Sequence, residues 1–185
     1  EFINLINELN QNISILLENL LDWARSQTNK IPFKPQSIQL ENIIHEIVKL
    51  FKISSAKKNH NIILDIEDNL QIYCDKNMIM TVIRNLISNA IKFTPDTGKI
   101  LIKAETIEGN RAKVSVNDNG IGIEKENFTK LFKINEKFST EGTNKEKGSG
   151  IGLLVCKGFI EKNNGKIIFE SQKGLGSTFG FTIPK

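Results

Sequence analysis

The stretch from Lys76 to Phe93 constrains the fold more than any other, because it carries two helical faces at once. Ile79, Val82, Ile83, Leu86, Ile87 and Ala90 keep the three-and-four spacing of a face that must be buried. Asn85, Asn89 and Lys92 recur at four and three residues, so they project together from a different face. A helix of this kind needs a second layer to cover its apolar stripe. Strand-type alternation supplies that layer over Asn61–Glu67, Lys99–Thr106, Arg111–Asn117, Lys166–Ser171 and Thr178–Ile183. Ile72–Cys74 reads as a short partner for the first of these, and Glu108-Gly109-Asn110 as the turn of a hairpin. Further helices are expected from Leu40 to Phe51, near Lys125 to Phe132, and from Ile151 to Lys162. The sum is an α+β fold, a two-layer sandwich with helices on one face of a sheet.

The first residues differ from the rest. Ile6, Ile13 and Leu20 form one heptad column, and Leu9, Leu16 and Trp23 the next, with Leu17 and Leu21 widening the stripe. Such a face suits a helix that packs in a bundle with other helices. Pro32 and Pro35 then interrupt the helical pattern. The expected organisation is a helix over residues 1–29, a linker over 30–39 and a globular domain over 40–185.

Composition narrows the class. Apolar residues are 39% and charged residues 25% of the 185, the balance of a soluble globular chain. No apolar run reaches the roughly 20 residues that span a bilayer, and no secretory leader pattern is visible. The net charge of +4 is spread over scattered lysines rather than a basic stripe with aromatics, which argues against nucleic acid. Cys74 and Cys156 lie far apart and outside any CxxC pair, which speaks for a reducing compartment, with no zinc or disulfide framework.

Two glycine-rich segments give the amide and lysine row a meaning. Asp118-Asn119-Gly120-Ile121-Gly122 follows directly after a strand, where glycine allows close ligand approach and a carboxylate can accept from an amino group. Gly148-Ser149-Gly150-Ile151-Gly152 opens a helix, the place where backbone N–H groups cradle phosphate. A P-loop would need a lysine and a hydroxyl residue where Leu153 and Leu154 stand, and a dinucleotide fingerprint would need a preceding strand. An amide oxygen on the row can ligate Mg²⁺, and its lysine can meet a phosphate.

In this order the three pieces resemble the asparagine box and two glycine boxes of the sensor histidine kinases, a branch of the GHKL ATPases. The resemblance runs from about Leu40 to the end of the chain. It includes NLISNAIKFT (Asn85 to Thr94) and GLGSTFGFTIP (Gly174 to Pro184), and LLENLLDWARSQ (Leu16 to Gln27) resembles the second helix of the family's dimerisation and phosphotransfer domain. It implies a GHKL-type sandwich preceded by a long dimerisation helix, with ATP and Mg²⁺ as ligands. Asn89 would ligate Mg²⁺ with Asn85 in support, Lys92 would approach the phosphates, and Phe93 would pack near the adenine. Asp118 would read the adenine amine over a floor shaped by Gly120 and Gly122. Gly148, Gly150 and Gly152 would cradle phosphate, and Thr178 would sit beneath the base. Phe132 and Phe138 fall in the family's ATP lid, and Lys137 stands where many members carry an arginine near the γ-phosphate. The phenylalanine spacing and the lysine both depart from the commonest family pattern.

A kinase of this kind needs an acceptor histidine beside a carboxylate. His60 has no acidic neighbour, and His45-Glu46 lies beyond the prolines and lacks the basic residue and proline that follow the family's acceptor. The acceptor is therefore expected upstream of Glu1, in a longer, cytoplasmic or membrane-anchored sensor. The implied partners are a response regulator receiver domain and a second copy through the N-terminal helix. Rival readings are another GHKL ATPase, a serine kinase, or a dimerisation module with a vestigial nucleotide site.

Overall fold

The computed structural model describes residues 32–133, 141–144, 146 and 150–185. The helix expected over residues 1–29, together with Lys137, Phe138 and Gly148, lies outside the described residues. Along the chain come β1 (Pro35–Gln39), α1 (Leu40–Leu50), α2 (Lys52–Lys57), β2 (Asn61–Ile66), β3 (Gln71–Asp75) and α3 (Lys76–Phe93). Then follow β4 (Lys99–Ile107), β5 (Arg111–Asp118), a 3₁₀ helix (Lys125–Lys130), α4 (Gly152–Lys162), β6 (Lys166–Gln172) and β7 (Gly176–Pro184).

The architecture is the expected α+β sandwich. Five strands form one sheet in the order β2-β4-β5-β7-β6, antiparallel except for the β2–β4 pair. One face of that sheet is apolar, with Ile62, Leu64, Ile100, Ile102, Val114, Val116, Phe179, Phe181 and Ile183 in register across it. Against it lie α1, α3 and α4, whose stripes (Ile43, Ile44 and Ile47; Val82, Ile83, Leu86 and Ile87; Val155, Phe159 and Ile160) are buried. Period 3.6 on one layer meets period 2 on the other, and both bury the same core.

Two pairings differ from the sequence reading. Residues 71–75 do not pair with β2 but with β1, antiparallel from Pro35 opposite Asp75 to Gln39 opposite Gln71. The stretch read as linker thus contributes a strand. Meanwhile β2 pairs parallel with β4. Parallel neighbours need a crossover connection, and α3 provides it, so no hairpin joins residues 61–66 to 71–75. The start of α3 is fixed by Asp75, whose carboxylate accepts from the amides of Asn77 and Met78 at 3.1 and 3.2 Å. Its other oxygen accepts from the Lys34 amide at 2.9 Å, tying the β1 entry to the same cap.

Phe132, expected in the lid region, has its ring in an aromatic cluster. Its ring lies 5.6 Å from that of Phe169, which also meets Phe128 edge-on at 5.2 Å and stacks on Phe179 at 5.9 Å. The 3₁₀ helix is pinned to β6 by these rings.

Candidate functional site

Asp118 is the last residue of β5 and points to the helix-covered face, since it pairs with Ser177 and continues the Val114–Val116 row. Its Oδ1 accepts from the amides of Gly120 at 2.9 Å and Ser177 at 3.3 Å. Among the described residues none donates to Oδ2. Burial pushes the carboxyl up to about 6, against the lowering effect of those two amides. A half-buried carboxylate with one oxygen open is equipped to accept from an amino group of a planar ligand.

The following loop needs its glycines. A Cβ on Gly120 would run into the Phe93 carbonyl and sit 2.7 Å from Asp118 Oδ1, so any side chain would fill the space beside the carboxylate. Gly122 has φ +62°, and a Cβ there would strike the Gln172 carbonyl. Between them the Ile121 amide donates to the Phe93 carbonyl at 3.1 Å, and the Ile121 carbonyl accepts from Gly174 at 2.8 Å. The loop is thereby held to the end of α3 on one side and to the β6–β7 turn on the other.

The row on α3 faces the start of α4. Asn85 is half-buried, its Nδ2 donates to the Thr81 carbonyl at 3.0 Å, and its Oδ1 lies 2.8 Å from where a Cβ on Gly152 would stand. Gly152 therefore permits the close approach of α4 to α3. The residue that precedes α4, Ile151, makes no side-chain cap hydrogen bond, and Gly150, with φ +70°, is exposed just before it. A helix start carries the positive end of the helix dipole, which suits an anion. Asn89 and Lys92 follow along α3, both half-buried. Burial lowers the Lys92 ammonium below the ordinary amine range; Glu146 opposes this and Lys58 adds to it. Lys92 Nζ stands 4.5 Å from the Phe93 ring centroid.

Most of the expected site residues are thus brought to one end of the sandwich: Asn85, Asn89, Lys92, Phe93, Asp118, Gly120, Gly122, Gly150 and Gly152. Thr178 is not among them. It pairs with Asn117 and Glu170 and so lies on the outer face of the sheet, while Ser177, one residue earlier, lies opposite Asp118. The period of a strand is two, and an error of one residue moves a side chain through the sheet. Ser177 hydrogen-bonds Ser171 through the hydroxyls at 2.8 Å, and Ser171 Oγ accepts from the Ile123 amide at 2.8 Å. These two serines were missed; their register against Asp118 was the only signal that could have found them.

The remaining histidines are explained by the same geometry. His60 Nε2 reaches the carbonyls of Thr94 and Pro95 at 3.2 and 3.1 Å, so that nitrogen must carry its proton, and Nδ1 is buried. His45 is exposed on α1, 3.8 Å from Glu41.

The carboxylate at the end of β5, the amide-bearing face of α3 and the start of α4 thus meet at one end of an ATPase-type sandwich. The chain belongs to the family of histidine kinase-, DNA gyrase B-, and HSP90-like ATPases, which matches residues 74–185. Within that family it is similar to sensor histidine kinases. The non-motile and phage-resistance protein of Caulobacter vibrioides is 32% identical over 97% of this chain and 22% of its own length. The histidine kinase ThkA, solved in complex with the response regulator protein TrrA, is 27% identical with a TM-score of 0.76, over 100% of this chain and 50% of ThkA. Full-length ShkA, solved with AMPPNP, is 23% identical with a TM-score of 0.82, over 99% of this chain and 38% of ShkA; at that identity the likeness shows the fold alone. The chain accordingly spans about a fifth of the curated relative and no more than half of either solved protein.

Proposed function

We propose that this chain binds ATP with Mg²⁺ and serves as the catalytic domain of a sensor histidine kinase. The observation that carries the proposal is Asp118: a half-buried carboxylate with Oδ1 held by two backbone amides and Oδ2 open, beside a glycine at position 120 where any side chain would crowd it. Asp118 Oδ2 would accept from the adenine amine, and Phe93, half-buried at the end of α3, would flank the ring. Lys92 and the leading amides of α4, opened by Gly150 and Gly152, would neutralise the phosphates.

The residues present fit a magnesium ion bound through nucleotide phosphates. Asn89 offers an amide oxygen one helical turn from Asn85, on a face with few competing carboxylates, and Mg²⁺ in such sites takes most of its ligands from phosphates and water. When bound, the ion would supply charge neutralisation on the phosphates. Asn85 would hold the start of α4 beside it, as its contact with Gly152 indicates.

The reaction is transfer of the ATP γ-phosphoryl group to an imidazole nitrogen, releasing ADP, with the imidazole proton passing to an adjacent carboxylate. Neither His45 nor His60 suits the acceptor. His60 has its protonated nitrogen engaged by two carbonyls and the other buried, and His45 stands on α1 of this same domain. The acceptor histidine, dimerisation through residues 1–29 and a receiver domain as the next phosphate acceptor are part of the same proposal, supported by the ThkA–TrrA complex. The roles of Lys137 and Gly148 at the phosphates belong to it too.

The test is calorimetric titration with ATP, with and without Mg²⁺, on the wild type, Asp118→Ala and Asn89→Ala. Binding abolished in Asp118→Ala, and made insensitive to Mg²⁺ in Asn89→Ala, is the expected result. A wild type that binds no ATP at millimolar concentration leaves a dimerisation module with a vestigial site as the better reading.

A further inference from the structure

The last turn of an α-helix leaves carbonyls without helical partners. At the end of α3 these and the next carbonyls are met by several distant parts of the chain. The Phe93 carbonyl accepts from Ile121 in the first glycine loop at 3.1 Å, and His60 takes those of Thr94 and Pro95. The carbonyls of Ile91 and Lys92 accept from Nζ of Lys58, at 3.0 and 3.2 Å. Lys58 is the residue just past α2, far in sequence from every nucleotide-type motif, and only 4% of it is exposed.

The same ammonium has two more partners, both in the segment that leads to the second glycine loop. It donates to Thr143 Oγ1 at 2.8 Å and pairs with Glu146 Oε1 at 2.7 Å. Thr143 is also fixed directly to α3: its amide donates to the Lys92 carbonyl at 3.0 Å, and its hydroxyl lies within reach of the Lys92 and Thr94 carbonyls. Glu146 in turn accepts from the Asn144 amide through Oε2 at 2.8 Å, and its backbone carbonyl accepts from Gly142 at 2.9 Å. Gly142 passes so near α3 that a Cβ there would stand 2.6 Å from Lys92 Cγ.

A cation buried at a helix C-terminus is favoured by the negative end of the dipole, and here a carboxylate completes its neutralisation. For Glu146, burial acts to raise the carboxyl, but the hydrogen bond from Lys58 and two backbone amides outweigh it and hold the group below its ordinary range. Lys92 and Phe93 occupy the very turn whose carbonyls Lys58 grips.

We infer that Lys58 is a positioning residue for the nucleotide site: it clamps the segment containing Thr143 and Glu146 onto the end of α3 and so fixes Lys92, Phe93 and the approach to the second glycine loop together. This rests on the reading of the site as one for ATP. Lys58 touches no ligand in this account; it acts through the carbonyls of Ile91 and Lys92 and through Glu146. Removing it takes the donor from the Ile91 carbonyl and the partner from Glu146 Oε1, and frees the segment beside the phosphate-binding face.

The experiment measures MgATP affinity by calorimetry, and amide hydrogen exchange at Gly142 and Thr143 in the nucleotide-free protein. It uses the wild type, Lys58→Met, Glu146→Gln and the double variant. Lys58→Met is expected to weaken MgATP about tenfold and to speed exchange at both amides, with Glu146→Gln giving part of each effect. The double variant should bind no more weakly than Lys58→Met, because both changes act through one contact. If Lys58→Met does not fold, Glu146→Gln and Thr143→Val decide, since both leave the ammonium with its two carbonyl partners. Unchanged affinity in the folded variants, even with a lowered melting temperature, overturns the inference and makes Lys58 a structural plug. A wild type that does not bind MgATP overturns the nucleotide reading as well; a wild type that binds like its variants overturns this inference alone.

Discussion

Under the proposed function, Asp118 would serve a ligand at the expense of the free domain. Its carboxyl is raised from the ordinary 3.8 to about 6, chiefly by burial. A raised folded value means the protonated group suits the free fold better, so its contribution to stability is complete below 3.8 and is lost as pH rises through 6. Asp118→Asn keeps an acceptor for the Gly120 amide and removes the buried charge. It should therefore stabilise the nucleotide-free domain by up to about 3 kcal/mol at pH 7.5. At pH 4 the gain should fall below about 1 kcal/mol. Denaturant melts of both proteins at the two pH values check this; a gain that does not shrink toward acid would mean burial is not the cause. The position was legible in the sequence because D-x-G-x-G followed a strand. Its environment was not, because the Ser177 amide comes from a strand 59 residues away.

At the scale of the element, α3 was read with its true ends because every determinant is local. The apolar stripe, Asp75 before the first turn and Pro95 after the last are all visible in the chain. Asp75→Ala removes the carboxylate that caps two amides and accepts from Lys34. The expected loss is about 1–2 kcal/mol of unfolding free energy, measured by urea melts, with the slope of the transition unchanged. Strand pairing was read less well. The assignment of Ile72–Cys74 to β2 followed nearness in sequence, whereas β1, on the far side of α1 and α2 along the chain, is the actual partner. Thr178 failed for a related reason: a strand's alternation shows which residues share a face but not which partner residue they oppose.

The whole molecule gathers its nucleotide-type residues at one end of a sandwich whose other parts are a continuous core. No described helix is long and apolar enough to cross a membrane. Because the proposed site joins β5, β7, α3 and α4, a ligand there would bridge both layers. Saturating MgATP should stabilise the folded state by about 2.7 kcal/mol at one hundred times its dissociation constant. Thermal melts with and without nucleotide check this, and the shift should vanish in Asp118→Ala while the ligand-free melt persists.

By itself the sequence determined what rests on neighbours along the chain: the two faces of α3, the hairpin at Gly109, the glycine loops and the amide, lysine and carboxylate types that a nucleotide requires. Tertiary structure alone decided which strands pair, that Ser177 rather than Thr178 opposes Asp118, and that Lys58 gathers the end of α3 with Thr143 and Glu146. Local pattern is dictated by the repeat of the backbone, 3.6 residues or two, and is written in order along the chain. Contacts between residues 33 to 88 positions apart depend on how layers close over one core, and no spacing in the sequence records them.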